Sequence, residues 1–144
     1  MADGFGDYEF LNKIGDLGKW PQTMAELVDG WIAHWTNRFS SSEDDDTLFW
    51  AFQCASELCM DRADLGIEFV LAAVKKGASA ELIPVLAAGP LEEVLSYHGA
   101  AVIDRVEDEA RRSPEFCHLL GGVWQNQMPD EIWQRVLKVA PNRW

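Results

Sequence analysis

The chain has 144 residues, of which 48% are hydrophobic, and this is enough for one globular domain with a sizeable core. It carries 24 acidic against 12 basic residues, a formal net charge of −12. Such a charge argues against direct binding to nucleic acid or to an anionic membrane, because phosphate contacts need clustered Lys and Arg. No apolar run reaches the roughly 18 residues of a membrane-spanning helix, and the sequence opens without a signal-peptide pattern, so we expect a cytoplasmic protein.

The negative charge is concentrated in the first third of the chain. Residues 1–47 hold ten acids and three bases, whereas residues 98–144 hold seven and six. An acidic region can steer a basic partner and raise its association rate. Solubility alone is the alternative explanation, and composition does not separate the two.

Tryptophan and cysteine usage give two further expectations. Seven tryptophans are several times the average usage, and Trp fills helical cores as well as interface hot spots. Trp20 and Trp144, beside chain breakers or at the end of the sequence, are the best candidates for exposure.

The three cysteines have no CxxC spacing, which favours free thiols over a disulfide or a zinc site. We predict neither a metal nor a cofactor.

Apolar spacing predicts helices along nearly the whole chain. Thr23 and Glu26 have the spacing of a capping box at the start of the first long helix. Its apolar stripe is Leu27, Trp31, Trp35 and Phe39. The stripe of the second helix is Leu48, Phe52, Ala55 and Cys59. A third helix stops at the Lys-Lys-Gly of residues 75–77.

The second half of the chain has the pattern of shorter helices separated by Gly and Pro. They are expected from Ser79, from Pro90 to Gly99, over 100–112, from Pro114 and over about 129–139. The predicted fold is all-α, a compact bundle of about seven to nine short helices, with stacked helical hairpins as one arrangement. We expect a single domain over 1–144, or a domain to which residues 1–20 are loosely attached.

The segment GPLEEVLSYHG, residues 89–99, has two interpretations. In the first it is a corner, at which one helix ends at Gly89 and the next begins at Pro90 and ends at Gly99. The acids then meet the helix N-terminus and the histidine its C-terminus. In the second, His98 is a base oriented by Glu93 or Asp104. No catalytic motif supports the second, so we do not expect an enzyme, and the candidate patch here is Glu92, Glu93 and His98.

The run Glu43-Asp44-Asp45-Asp46 also has two interpretations. Acids before a helix can cap it and interact favourably with its dipole. Three consecutive aspartates exceed the need of a cap, which favours an acidic patch with a function. The predicted partner-binding residues are Asp16, Trp20, Glu43, Asp44, Asp45 and Asp46.

Several stretches together resemble a family. LAAGPLEEVLSYHG, then IDRVE, then FCHLLGGVW and finally IWQRV are similar to an uncharacterised bacterial all-helical domain family with the pattern AAGPLExLLxxHG, ID, FxxxLxxVW. The segment TLFWAFQ resembles the second helix of that family. The resemblance covers about residues 25–137 and leaves out the C-terminal PNRW. It implies a small helical bacterial protein and brings no activity with it.

The leading functional expectation is a small acidic module that binds and masks a basic protein partner. Bacterial toxin-immunity proteins have this physical profile, and phage inhibitors of host defence nucleases share it. A third alternative is an enzyme or small-molecule binder at residues 89–99. We expect a monomer or a homodimer without direct nucleic-acid or membrane contact.

Overall fold

The computed structural model describes residues 23–40 and 47–144, and within these ranges the regular secondary structure is helical, without a strand. The elements are α1 (Met24–Ser40), α2 (Phe49–Asp61), α3 (Ala63–Lys76), α4 (Ile83–Leu86), a π-helical turn (Ala87–Leu91), α5 (Glu92–Arg112), α6 (Pro114–Leu120) and α7 (Asp130–Val139). The all-α prediction is confirmed. Since α4, the π-helical turn and α5 follow one another without a break, the described residues form six continuous helices, slightly fewer than predicted. None of the described helices has the length and apolarity to cross a membrane.

Three of the predicted helix boundaries are confirmed, namely the start at Thr23, the stop at Gly77 and the start at Pro114. Thr23 Oγ1 accepts a hydrogen bond from the Glu26 amide at 3.0 Å and caps α1. α3 ends at Gly77, whose φ of 84° is left-handed. Ser113 Oγ caps α6 by accepting from the Phe116 amide at 3.1 Å. In each case a short-range hydrogen bond or a backbone angle needs that residue, so the sequence alone predicts it.

The core lies where α1, α2, α3 and α5 cross at short distance. Gly66 of α3 allows the closest crossing, since a Cβ there would lie 2.4 Å from Val94 Cγ2 and 3.0 Å from Cys59 Cα. Around it the core includes Trp31, Leu58, Phe69 and Leu91, each nearly or completely inaccessible to solvent.

The predicted corner at Gly89 and Pro90 is wrong, because the helix continues through both residues. Gly89 does not adopt a positive φ, and Pro90 is inside the π-helical turn. The Glu92 amide donates back to the carbonyls of Ala87 and Gly89, so this is not a free helix N-terminus. Proline lacks the N–H of a regular helix and its ring clashes with the carbonyl four residues earlier. The wider π turn relieves that clash without ending the helix.

The predicted helix end at Gly99 is correct to within one residue, because α5 consists of two helices that meet at a kink at His98. The φ of −137° and the ψ of 27° at His98 are not helical, and the second of the two helices continues to Arg112. Gly99 also has a packing role, since a Cβ there would lie 3.0 Å from Ile132 Cγ2 of α7. The glycine therefore marks a close helix crossing directly after the kink.

The last two residues pack onto the turn that follows α6. Arg143 donates to the carbonyls of Leu120, Val123 and Ala140. The Trp144 ring stacks on His118 with 5.1 Å between centroids, and its Nε1 donates to the His118 carbonyl at 2.7 Å. The C-terminal segment is thus an integral part of the fold.

Candidate functional site

The first predicted patch lies outside the described residues. It comprises Asp16, Trp20, Glu43, Asp44, Asp45 and Asp46. The helices on either side of the acidic run are described, and each presents an aromatic residue to solvent. Phe39 near the end of α1 is 52% exposed, and Phe49 at the start of α2 is 40% exposed. The N-cap residue of α2 is Leu48, which makes no capping hydrogen bond with its side chain.

The second predicted patch does not form a single site, because its members have separate partners. The Glu92 carboxylate accepts from the Trp124 amide at 3.0 Å and from Asn126 Nδ2 at 3.1 Å, and so holds the loop before α7. His98 Nε2 lies 2.8 Å from the Met60 carbonyl at the end of α2. Since a carbonyl only accepts, His98 must donate this bond. Both side chains therefore have structural roles.

Neither acid predicted to orient His98 does so. Asp104 forms an ion pair with Arg135 at 2.6 Å. The carboxylate of Glu93 accepts from the Ser56 hydroxyl at 2.9 Å. A base at His98 would therefore lack the orienting carboxylate that the second interpretation of residues 89–99 needed.

Glu93 instead lies in a cleft between three helical segments, with a volume of about 50 Å³. This cleft, called the Glu93 cleft below, is bounded by α1, by α2, and by the continuous segment from α4 through the π-helical turn to the start of α5. The residues lining it are Trp31, Trp35, Phe52, Ser56, Val85, Gly89, Pro90 and Glu93. The π-helical turn contributes Gly89 and Pro90, and a Cβ added to Gly89 would meet no atom within 4 Å. A side chain can therefore be added at this position of the cleft wall without a clash at its Cβ.

The environment of Glu93 raises the pKa of its carboxyl group above the ordinary value of 4.5. The largest cause is burial, which removes water from the charged form, and the neighbouring charge of Glu92 adds to it. The hydrogen bond from Ser56 acts in the opposite direction. None of the described Lys or Arg residues forms an ion pair with Glu93, so a single hydroxyl is its described polar partner.

Aromatic rings continue from the cleft to the protein surface. Trp31 and Trp35 meet edge to face with 6.4 Å between centroids, and Trp35 and Phe52 do so at 5.8 Å. Trp35 also lies 6.1 Å from Phe39, and Phe52 lies 5.5 Å from Phe49. The Trp35 Nε1 is buried, and no described residue accepts a hydrogen bond from it. The cleft therefore adjoins the exposed rings of Phe39 and Phe49, which flank the acidic run in the sequence.

Sequence reasoning assigned Trp31, Trp35, Phe39 and Phe52 to the apolar stripes of their helices and missed the cleft. For Phe39 this assignment is wrong, since its side chain is 52% exposed. The spacing of four between Trp31 and Trp35 predicts a shared helix face, but it does not say whether that face is filled. Trp124 was missed as well, and at 70% exposure it is the most exposed tryptophan among the described residues. The amide of Trp124 donates to the carboxylate of Glu92 across 32 positions of sequence. Local sequence patterns do not predict a contact between residues so far apart.

The three cysteines are free, as predicted, and Cys54 and Cys59 are buried. Burial raises the pKa of Cys54 to about 12, so this thiol stays protonated and unreactive. Over residues 23–40 and 47–144, no group of three or more His, Cys, Asp and Glu side chains is placed to hold a metal ion.

These features define a small all-α protein with an aromatic cleft that contains a carboxylate. The chain belongs to the family of unknown function DUF6869, whose model matches residues 38–144. The match includes the α2 and α5 sides of the Glu93 cleft but not the two tryptophans of α1. It also extends through PNRW, which the sequence analysis had placed outside the resemblance. No curated protein and no solved structure matches the chain.

Proposed function

We propose that this protein is a small acidic module that binds and masks a basic protein in the cytoplasm, most like a toxin-immunity protein. The observation that carries the proposal is the position of Phe39 and Phe49. Both rings are exposed, and in the sequence they flank the acidic run at residues 43–46. Aromatic residues at the centre of an interface with charged groups around them are the usual composition of a specific binding surface.

The charge balance of the described residues supports a basic partner. They hold 16 acids and ten bases. At least six of those bases already pair with acids of this chain, namely Arg62, Lys76, Arg105, Arg111, Arg112 and Arg135. The acids in excess give the surface a net negative charge, and this charge favours encounter with a positively charged protein.

The test begins with a pull-down from a lysate of the source organism, followed by titration of the purified partner at rising salt. Neutralising the acidic run with Asp44→Asn, Asp45→Asn and Asp46→Asn should slow association about tenfold at low ionic strength. A matched control removes the same charge elsewhere through Asp61→Asn, Glu81→Gln and Glu131→Gln, which are exposed acids of α2, of the turn before α4 and of α7.

Equal losses in the two variants would mean that only net charge matters and would refute the acidic run as a binding site. The identity of the captured protein separates the two antagonist roles. A toxin supports the immunity role, whereas a host defence nuclease supports the phage-inhibitor alternative. Capture of an acidic protein with salt-independent affinity would contradict the proposal as a whole.

A further inference from the structure

The Glu93 cleft combines two features, a half-buried carboxylate and the lack of a charged partner for it among the described residues. Its carboxylate is half-buried, and among the described residues its polar partner is a neutral hydroxyl. Buried charges in proteins are normally paired with an opposite charge, because a desolvated carboxylate alone is costly. An ion pair from the protein itself would remove that cost, but no described Lys or Arg supplies one. The unpaired carboxylate therefore points to a cation from outside.

The other walls of the cleft suit the same ligand. Trp31, Trp35 and Phe52 surround the space beside Glu93 with aromatic rings. Tryptophan is the ring that attracts an organic cation most strongly, and the attraction grows when water is excluded. A metal ion would need several oxygen, nitrogen or sulfur ligands, and this cleft offers one carboxylate and one hydroxyl. The walls thus favour a cation that carries apolar carbon over an inorganic one.

We propose that the Glu93 cleft binds a small organic cation, an alkylammonium or guanidinium group, between the rings of α1 and α2 and the carboxylate of Glu93. A volume of about 50 Å³ fits the charged head and a few methylenes of such a group. It is well below the roughly 300 Å³ at which pockets for whole drug-sized ligands begin. The ligand is therefore the end of a longer molecule, or a small free amine.

One source of such a group is a lysine or arginine side chain of the basic partner, and this part of the inference rests on the proposed function. The ring contacts from the cleft through Trp35 to Phe39 place the cleft beside the exposed aromatic residues. A cationic side chain inserted there would give the partner a fixed anchor, in addition to the longer-range attraction of the acidic run. A free amine is the other source, and it needs no protein partner.

The experiment titrates the folded, ¹⁵N-labelled full chain with n-butylammonium, n-butylguanidinium and the neutral n-pentanol. The readout is the indole N–H resonances of Trp31 and Trp35 in ¹H–¹⁵N spectra. Two blocked amino acids, N-acetyl-lysine methylamide and N-acetyl-arginine methylamide, distinguish the sources. We expect both alkyl cations to shift the two indole resonances and n-pentanol to leave them nearly unchanged.

Three variants locate the binding. Glu93→Gln keeps the shape and removes the charge, and it should weaken n-butylammonium binding about tenfold or more, the loss of one charge-assisted hydrogen bond. Gly89→Leu places a side chain into the open space of the cleft and should abolish binding. The matched control is Ala88→Leu, since Ala88 is the exposed neighbour and does not line the cleft. It should bind like the wild type, and circular dichroism of each variant checks the fold.

Equal shifts with n-pentanol and n-butylammonium, unchanged binding in Glu93→Gln, or no shifts at all would each overturn the cation site. Shifts with the blocked amino acids support a partner's side chain as the ligand. Shifts confined to the small free cations support a free amine.

The two proposals fail separately. Glu93-dependent binding of n-butylammonium without any captured protein would refute the proposed function and leave the cation site standing. A captured basic partner whose affinity is the same for Glu93→Gln and the wild type would refute the anchor and leave the module standing.

Discussion

At the scale of single residues, Glu93 is a group whose charge costs stability. Burial favours its protonated form in the folded state, so the penalty is absent in acid and appears as the pH rises above the ordinary carboxyl pKa of 4.5. The charge is kept although glutamine would have nearly the same shape. Such a cost is typical of functional groups, which are often located where they lower the stability of the folded protein.

We predict that Glu93→Gln is more stable than the wild type at neutral pH. The amide oxygen of glutamine can still accept the bond from Ser56, while the desolvated charge is gone. The gain should disappear as the pH falls below about 4.5, because the wild-type carboxyl group is then neutral as well. Urea unfolding of both proteins over this range measures it. A variant that is less stable at neutral pH would show that the carboxylate has a charged partner within the protein.

Two glycines of the same fold should respond oppositely to one added methyl group. Gly66→Ala places a Cβ against Val94 and against the α2 backbone at Cys59, and we expect a loss of about 1–3 kcal/mol. Gly89→Ala meets open space at a position without positive φ, and we expect a gain of up to about 1 kcal/mol from helix propensity. Thermal unfolding of the pair checks both, and similar effects in the two variants would contradict the described packing.

At the scale of elements, the long segment from α4 to α5 has two irregularities, the π-helical turn and the kink at His98. The kink brings the imidazole to the carbonyl of Met60, which lies in the last turn of α2. The bond ties the end of one helix to the middle of another across 38 positions of sequence. His98 thus has a structural role, called its fastening role below, in which it joins two helices by a hydrogen bond and takes no part in catalysis.

We predict that His98→Ala lowers the free energy of unfolding by about 1 kcal/mol, the worth of one such hydrogen bond. His98→Gln should recover part of the loss, because its side-chain amide can donate to the same carbonyl. Hydrogen exchange at the end of α2 should rise in His98→Ala. An unchanged stability would contradict the fastening role, and recovery by Gln would not be expected of a catalytic base.

The sequence predicts some helix boundaries correctly and others wrongly, depending on whether local or distant contacts set them. The starts at Thr23 and Ser113 and the stop at Gly77 were correct, because each depends on contacts within a few residues. The end predicted at Gly99 was correct to within one residue, since the helix is broken by the kink at His98. The corner at Gly89 was wrong, because Gly89 and Pro90 belong to a π turn that packs against distant helices. For the same reason, Glu93 was selected from the sequence but its partner Ser56 and its aromatic walls were not.

At the scale of the whole molecule, ion pairs connect helices that are distant in sequence. Arg135 of α7 donates to Glu107 and to Asp104 of α5, and Arg105 of α5 pairs with Glu68 of α3. The hydrogen bond from Arg135 is the largest cause that holds the pKa of Glu107 below its ordinary value. These pairs help to fix α7 against the rest of the bundle.

We predict that Arg135→Gln weakens the fold at neutral pH and has little effect in acid. A lowered pKa means that Glu107 stabilises the folded state above its unfolded value of about 4.5, and that this contribution is lost as the pH falls below it. Urea unfolding at pH 7 and at about pH 3 compares the variant with the wild type. An equal difference at both values would show that Arg135 acts through packing and not through its charge.

The π-helical turn also fixes the rotation of everything that follows it on the same helix. Successive helical residues are rotated by about 100°, so the loss of Ala87 or Ala88, which do not line the cleft, would turn α5 relative to α4. Glu93 would then face away from Ser56, although every side chain of the cleft would still be present. The loss of a single in-frame codon at this turn is therefore a mutation that abolishes the cleft without changing its residues. Among related sequences, a one-residue gap here would separate the chains that have kept the cleft from those that have lost it.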